Sequence, residues 1–427
     1  MDIVIRVGST LSQRSLLRIV IGIIFLCSAL TGLLPQTLLS VVIVGCFCVL
    51  LFWDELYIAF PFIIFYNSLY GEVFGFSMLR IYSMLLLASC IIRYTSRIKM
   101  KLRSIAPLTV YFLFLLLVLS ARSIPNAVFA FIDIVSCFLV TRQLEKDGNI
   151  EGFFKVFVLV AFISFFTGIL ADNYVEQIDV NGMDAVSRFM GTFEDPNYMG
   201  FFYTIAIFSI IVLKLFPKKL RVAAVVLLYA MLLTSLSISA IVINALVWLI
   251  YLLVTKKISF KNTVIILLVA LMIYSGYQYG LENPDTPVIG DISYRVSTKL
   301  KELQANGIDS ATTNRTNLVA RHMEFFLDQP LMKQFIGGTS VNLYYLDPRL
   351  NTAAHNEYVD LLLYVGILGT LIMLLYFFTG MVKNNMRFLK TGNTRYLFLF
   401  TLKIIWCFYA FTLTMFLDYR FVLFFVI

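Results

Sequence analysis

Histidine is scarce in this sequence, and charge is thin. Two of the 427 residues are histidine, so acid–base chemistry has few places to sit. Charged residues make up 14% against roughly 25% in a soluble domain, too few to clothe a water-soluble body that is 60% hydrophobic. The six cysteines, Cys27, Cys46, Cys48, Cys90, Cys137 and Cys407, all fall within apolar runs, where thiols behave as small hydrophobes. The extended polar loops carry none, so neither a disulfide framework nor a metal site is expected. Internal repeats and low-complexity tracts are also lacking.

What fills the chain instead is a series of apolar runs, each long enough to approach or exceed the reach needed to cross a hydrocarbon layer of about 30 Å as a helix. The expected spans are 16–34, 37–53, 56–70, 78–93, 106–122, 125–141, 153–172, 197–216, 219–234, 237–254, 263–280, 357–381 and 396–416. Helices are required because lipid offers backbone amides no partner. The expected fold is therefore all-α and polytopic, with about 12–14 transmembrane helices. Its segments are 1–172, N-terminal helices; 173–196, a first outer loop; 197–280, central helices; 281–354, a large helical loop; and 355–427, C-terminal helices. Arg6, Arg14 and Arg18 precede the first run without a small-residue cleavage site, which reads as a retained helix. Residues 421–427 are too few to cross alone, and the sequence leaves open whether they return into the membrane.

The net charge of +9 is spread over short connectors, a membrane-topology pattern rather than a nucleic-acid surface. Numbering the spans alternately puts 22 Lys and Arg residues on the side of the N-terminus and four, Arg80, Arg122, Arg188 and Arg420, in the short connectors and tail of the other. The first side is thus expected to be cytoplasmic. Both long loops, 173–196 and 281–354, then lie outside. Residues 315–328 have an amphipathic helical pattern through Leu318, Val319, Met323, Phe325, Phe326 and Leu327, so the second loop is expected to be ordered.

Both histidines, His322 and His355, lie in or beside that loop. Thr352 is a plausible N-cap that places His355 in the first helical turn, where the helix terminus lowers its pKa while Glu357 raises it. Such a histidine either hydrogen-bonds at the membrane interface or serves as a base. Arg188 and Arg315 are arginines on the side where insertion disfavours them. A guanidinium fork suits phosphate oxygens, and equally suits a salt bridge. Arg321 and Arg349 read as structural from local sequence, with Arg321 kept among the substrate-binding candidates. Arg80 starts a span and either snorkels or faces a cavity. Asp195-Pro196-Asn197 reads as a turn and helix start. Gly366 and Gly369 suit close helix packing, and Asp360, one turn inside its span, is expected to face protein or water.

Asp195-Pro-Asn197 at a helix start, Arg315 in the large loop, Gly337-Gly338, and His355-Asn356 followed by Gly366 and Gly369 resemble, in order and spacing, the O-antigen polymerase and O-antigen ligase superfamily of bacterial envelope enzymes. The resemblance covers roughly residues 185–382; the first six spans match only in general character. It differs at Ser235-Leu-Ser-Ile-Ser-Ala240, where many relatives carry a Ser-Arg pair, and at Val319, where an aromatic is common.

The resemblance implies a membrane-embedded glycosyltransferase of the C type, working at the periplasmic face of the bacterial inner membrane without cofactor, metal or nucleotide sugar. The donor would be a saccharide on undecaprenyl pyrophosphate and the acceptor a sugar hydroxyl. Arg188 and Arg315 would hold the pyrophosphate, and His355 would be the base. Arg80, Asp195, Asn197, Asn356 and Arg321 would complete the substrate site. Implied partners are the lipid-linked oligosaccharide, membrane lipids and a chain-length regulator, with no nucleic acid. Polymerisation of lipid-linked repeat units is the leading expectation. Ligation to lipid A core is the rival within the class, and a polysaccharide flippase the rival outside it.

Overall fold

In the computed structural model the described residues are 10–31, 33–50, 56–67, 69, 75–94, 124–178, 185–256, 271, 274–306, 315–338, 354–415 and 419–427. They are mostly helical. Three helices among them are long and apolar enough to cross a membrane, Ile150–Leu170, Pro196–Leu213 and Glu357–Thr391, and several shorter apolar helices accompany them. The expected span 106–122 and most of 263–280 lie outside the described residues.

The chain divides into two compact units, the first made of Met1–Met100, Leu139–Asn173 and Gly191–Glu194. It holds α1 (Thr10–Ala29), α2 (Gln36–Leu50), α3 (Phe60–Tyr66) and α4 (Met78–Tyr94). The chain returns to this unit within α5 (Ile124–Asp147) and continues as α6 (Ile150–Leu170). The expected span 56–70 is not one. A 3-10 turn, Leu56–Ala59, leads into the seven residues of α3, which reach only about 10 Å at 1.5 Å per residue. Every residue from Leu56 to Phe65 is buried, so this apolar run fills protein rather than facing lipid. Tyr66 Oη and Thr167 Oγ1 lie 3.0 Å apart, and Thr167 donates to the Ser28 carbonyl, tying α3 and α6 to the end of α1.

The stretch 173–196, expected to be a loop, is not merely loop where it lies in the second unit, Tyr174–Met190. Antiparallel strands β1 (Tyr174–Ile178) and β2 (Ala185–Phe189) pair with Tyr174 opposite Phe189 and Val175 opposite Arg188. The hairpin is a small addition to a fold that is otherwise helical and compatible with the all-α expectation. The ring pair Tyr174–Phe189, 5.1 Å between centroids, supplies a cross-strand contact of the kind that stabilises hairpins.

Next come α7 (Pro196–Leu213), α8 (Lys218–Thr234) and α9 (Ile238–Val254). Helix α7 is buried on nearly all sides, and at Gly200 it approaches Ala240 of α9 so closely that a side chain would collide. Asn244 donates to Thr204 Oγ1 at 2.7 Å, and Thr204 meets Tyr409 Oη at 3.1 Å, so buried polar groups in this apolar core are paired.

The large loop contributes α10 (Ile289–Asn306), α11 (Arg315–Leu327) and α12 (Leu331–Ile336). The expected amphipathic helix over 315–328 is α11, with Leu318 and Val319 half-buried, His322 and Phe326 buried, and Arg321 and Leu327 exposed.

The chain then forms α13 (Glu357–Thr391), α14 (Thr394–Tyr409) and α15 (Tyr419–Val426). Residues 421–427 do return into the fold: Phe421 and Phe424 pack on Phe201 and Phe202 of α7. Lys403 of α14, fully within the expected span 396–416, donates to the Phe425 carbonyl at 2.7 Å and lies 4.9 Å from the Phe377 ring centroid.

Helix α13 is broken. Gly366 has φ 66° and ψ −175°, and the Tyr364 carbonyl accepts instead from the Gly338 N–H at 3.1 Å. Gly337, φ 80°, sits against Tyr364 and Val365, and a Cβ on either Gly337 or Gly366 would strike the other segment's backbone. The expectation that Gly366 serves the packing of two membrane helices is corrected. It is where a span opens to admit a loop segment, because only glycine combines this backbone conformation with so close an approach.

Candidate functional site

Asp195 caps α7 as its sequence suggests, accepting from the Asn197 N–H at 2.6 Å with Pro196 in the first turn. Asn197 itself is buried, and its Oδ1 accepts from Ser237 Oγ at 2.7 Å and Ser239 Oγ at 3.2 Å. Ser237 in turn caps α9. Asn197 therefore welds the start of α7 to the start of α9. Ser237 and Ser239 of the stretch Ser235-Leu-Ser-Ile-Ser-Ala240 are its partners.

Between α8 and α9 the chain turns through Leu236, φ 49°, and offers up the carbonyls that end α8. Such carbonyls lack helical partners and carry partial negative charge. Arg188 of β2 donates Nε to the Ser235 carbonyl at 3.3 Å, and Arg295 of α10 donates Nη1 to the Leu236 carbonyl. The third arginine, Arg315, opens α11 and donates Nη1 to the Thr412 carbonyl at 3.4 Å.

Thr412 belongs to the turn after α14, which α13 holds firmly. Glu357 receives the Met415 N–H on its carboxylate and donates its own N–H to the Ala410 carbonyl at 2.7 Å. Asp360 accepts from Thr414 Oγ1 at 2.7 Å. Both acids are buried in protein, as expected for Asp360, and here they secure a turn.

His355 stands just ahead of α13, half-buried, with φ 51°. The helix cap is Asn356, whose Oδ1 accepts from the N–H groups of Tyr358 at 3.1 Å and Val359 at 3.3 Å. Thr352 lies outside the described residues, and His355 precedes the cap instead of occupying the first turn. Its pKa is lowered below the ordinary 6.5, first by burial and then by Arg315; Asp195 opposes and His322 adds to the lowering. A neutral imidazole is thus the favoured form near pH 7.

The same groups act on one another throughout. Burial, with Arg295 and Arg315 adding to it and Asp195 opposing, pulls the Arg188 guanidinium down to about 10. Arg315 is also lowered by burial and opposed by Asp195. Arg188, Arg295, Arg315, Asp195, His355 and His322 consequently form one electrostatic cluster that gathers three guanidiniums beside the Asp195 carboxylate. Backbone carbonyls orient the three arginines. Such a site suits a polyanion with forked oxygens.

Arg295 was missed in the sequence, and His322 was noted there only as the second of the two histidines. Arg295 answers to the criterion that singled out Arg188 and Arg315, an arginine on the disfavoured side. His322 lies on the buried face of α11 with Leu318 and Phe326 four residues to either side, and its Nδ1 sits 2.8 Å from the Leu318 carbonyl. A carbonyl only accepts, so Nδ1 carries the proton and Nε2 is the basic nitrogen of neutral His322. Arg321, by contrast, is exposed, with Nε bonded to Asn317 a turn earlier at 3.1 Å. Arg80 belongs to α4 of the first unit, where its N–H donates to Ser77 Oγ at 3.4 Å.

Compared with known proteins, the chain matches no family model, and no curated protein matches its sequence.

Proposed function

We propose that this chain is a polymerase of lipid-linked oligosaccharides, a membrane-embedded glycosyltransferase that builds O-antigen or a related surface polysaccharide in the bacterial inner membrane. The observation that carries the reading is the cluster of Arg188, Arg295 and Arg315 around Asp195 and His355. The expected topology of about 12–14 spans, with the N-terminus cytoplasmic and residues 281–354 periplasmic, belongs to the same proposal.

In this reading the growing glycan, held on undecaprenyl pyrophosphate, is the donor. A hydroxyl of the next lipid-linked repeat unit attacks its anomeric carbon, the bond from that carbon to the pyrophosphate oxygen breaks, and the hydroxyl proton passes to His355. The leaving pyrophosphate gathers negative charge as the bond lengthens, and the three guanidiniums meet that charge from fixed positions. Preorganised donors of this kind are worth about 10²–10³ in rate each. Asp195 keeps three like charges tolerable in the empty site. The lipid tail stays in the bilayer while the glycan extends into water.

The purified protein in lipid nanodiscs, given synthetic undecaprenyl-pyrophosphate repeat units, should produce a ladder of longer lipid-linked products. Product formation that requires added lipid A core would overturn polymerisation in favour of ligation. Translocation of lipid-linked sugar without any new glycosidic bond would overturn the enzyme reading altogether.

A further inference from the structure

By sequence α12 belongs to the large polar loop, yet it packs against α13 at Gly366, which lies about 14 Å along the axis from Glu357 at 1.5 Å per residue. The polar groups around Glu357 and His355 mark where the apolar stretch of α13 begins, so Gly366 sits nearly halfway into a hydrocarbon layer of about 30 Å. Irregular backbone at such depth is tolerated only where protein buries and satisfies it. The Gly338 N–H to Tyr364 carbonyl bond meets that condition.

The remaining surface of α12 divides sharply. Gln334 turns inward and donates to the carbonyls of Leu327 and Gln329. Leu331, 81% exposed, and Met332, 69% exposed, share the other side with Phe335 and Ile336. On α13, just past the break, Ile367 and Leu371 are exposed as well. Both sets of apolar side chains flank the point where α12 meets a helix that is long and apolar enough to cross a membrane. Lys333 lies off the apolar side, and its long stem lets the amine reach toward polar surroundings.

We infer that α12 is a re-entrant helix whose face of Leu331, Met332, Phe335 and Ile336 lies within the bilayer against lipid acyl chains. The inference does not depend on the reaction proposed above. In lipid these side chains need no protein partner, whereas in water they would form an apolar patch of the sort that soluble surfaces avoid.

The test places a nitroxide at Leu331→Cys, Met332→Cys or Phe335→Cys, one at a time, in nanodisc-held protein whose native cysteines have been replaced. Leu371→Cys and Gln304→Cys serve as lipid and water references, both being exposed positions. The expected result is a ratio of oxygen to nickel-chelate collisions that matches Leu371 and exceeds Gln304. A ratio like that of Gln304 would overturn the inference by putting the face in water. Exclusion of both reagents would overturn it in favour of a protein covering. Should cysteine replacement prevent folding, p-benzoylphenylalanine at Leu331 or Phe335 in the otherwise unaltered chain gives a second readout: lipid adducts on irradiation support the inference, and adducts to protein alone reject it.

Discussion

His355 holds a left-handed backbone conformation that is uncommon outside glycine, and such positions gather at functional sites. Its lowered pKa fixes the sign of a pH dependence. The neutral base persists below the ordinary value of 6.5, so transfer should be level through neutrality and fall only as acid protonates His355. Initial rates between about pH 5 and 8 in the wild type should show that limb. In His355→Ala the rate should drop about 10²–10⁴-fold and the limb should vanish. An acid limb that survives the substitution would remove His355 as the base. Arg295 allows a different check. Inorganic pyrophosphate at about 100 times its dissociation constant should raise the wild-type unfolding free energy by roughly 2.7 kcal/mol. Arg295→Ala should shrink that ligand-induced shift at the same concentration, whereas a purely structural arginine would lower the baseline melting temperature and leave the shift alone. Asp195 and Arg315 were legible from sequence because a cap motif and a misplaced charge are local signals. The link of Arg188 and Arg295 to the end of α8 was not, since it joins residues 47 and 59 positions apart through carbonyls that any residue would supply.

At the scale of elements, hydrophobic runs foretold most helices and periodicity foretold α11. Neither could register the break in α13, because a glycine inside an apolar run looks the same whether it packs a straight helix or bends a broken one. The conformation comes from Gly337 pressing against Tyr364, a contact between distant stretches. Gly366→Ala should therefore cost at least about 1–3 kcal/mol, the range for a residue forced into a conformation it avoids, with the backbone collision added. Thermal unfolding in detergent would measure the loss. Hydrogen exchange at Gly338 should quicken in parallel if its bond to Tyr364 is what the substitution breaks; unchanged protection at Gly338 would mean that α13 and α12 are not locked there. The hairpin escaped notice for a related reason. Five-residue strands carry little pattern of their own, and charges in the same stretch made it read as loop.

Across the whole molecule the asymmetry of 22 basic residues against four predicts sidedness. A membrane-impermeant thiol reagent applied to intact spheroplasts should label Thr286→Cys and spare Lys256→Cys; the reverse pattern would invert the topology. The chain's poverty in charge also makes each exception conspicuous, and Lys403 is such an amine inside an expected span. Its acceptor, the Phe425 carbonyl, is synthesised 22 residues later. At about 5–20 residues per second the ribosome takes one to several seconds to cover that interval. During it α14 holds an amine with no α15 to receive it. In a chain inserted as expected over 396–416, α14 would then need a hydrated or protein-lined setting until α15 emerges, so that the two helices enter lipid as a pair.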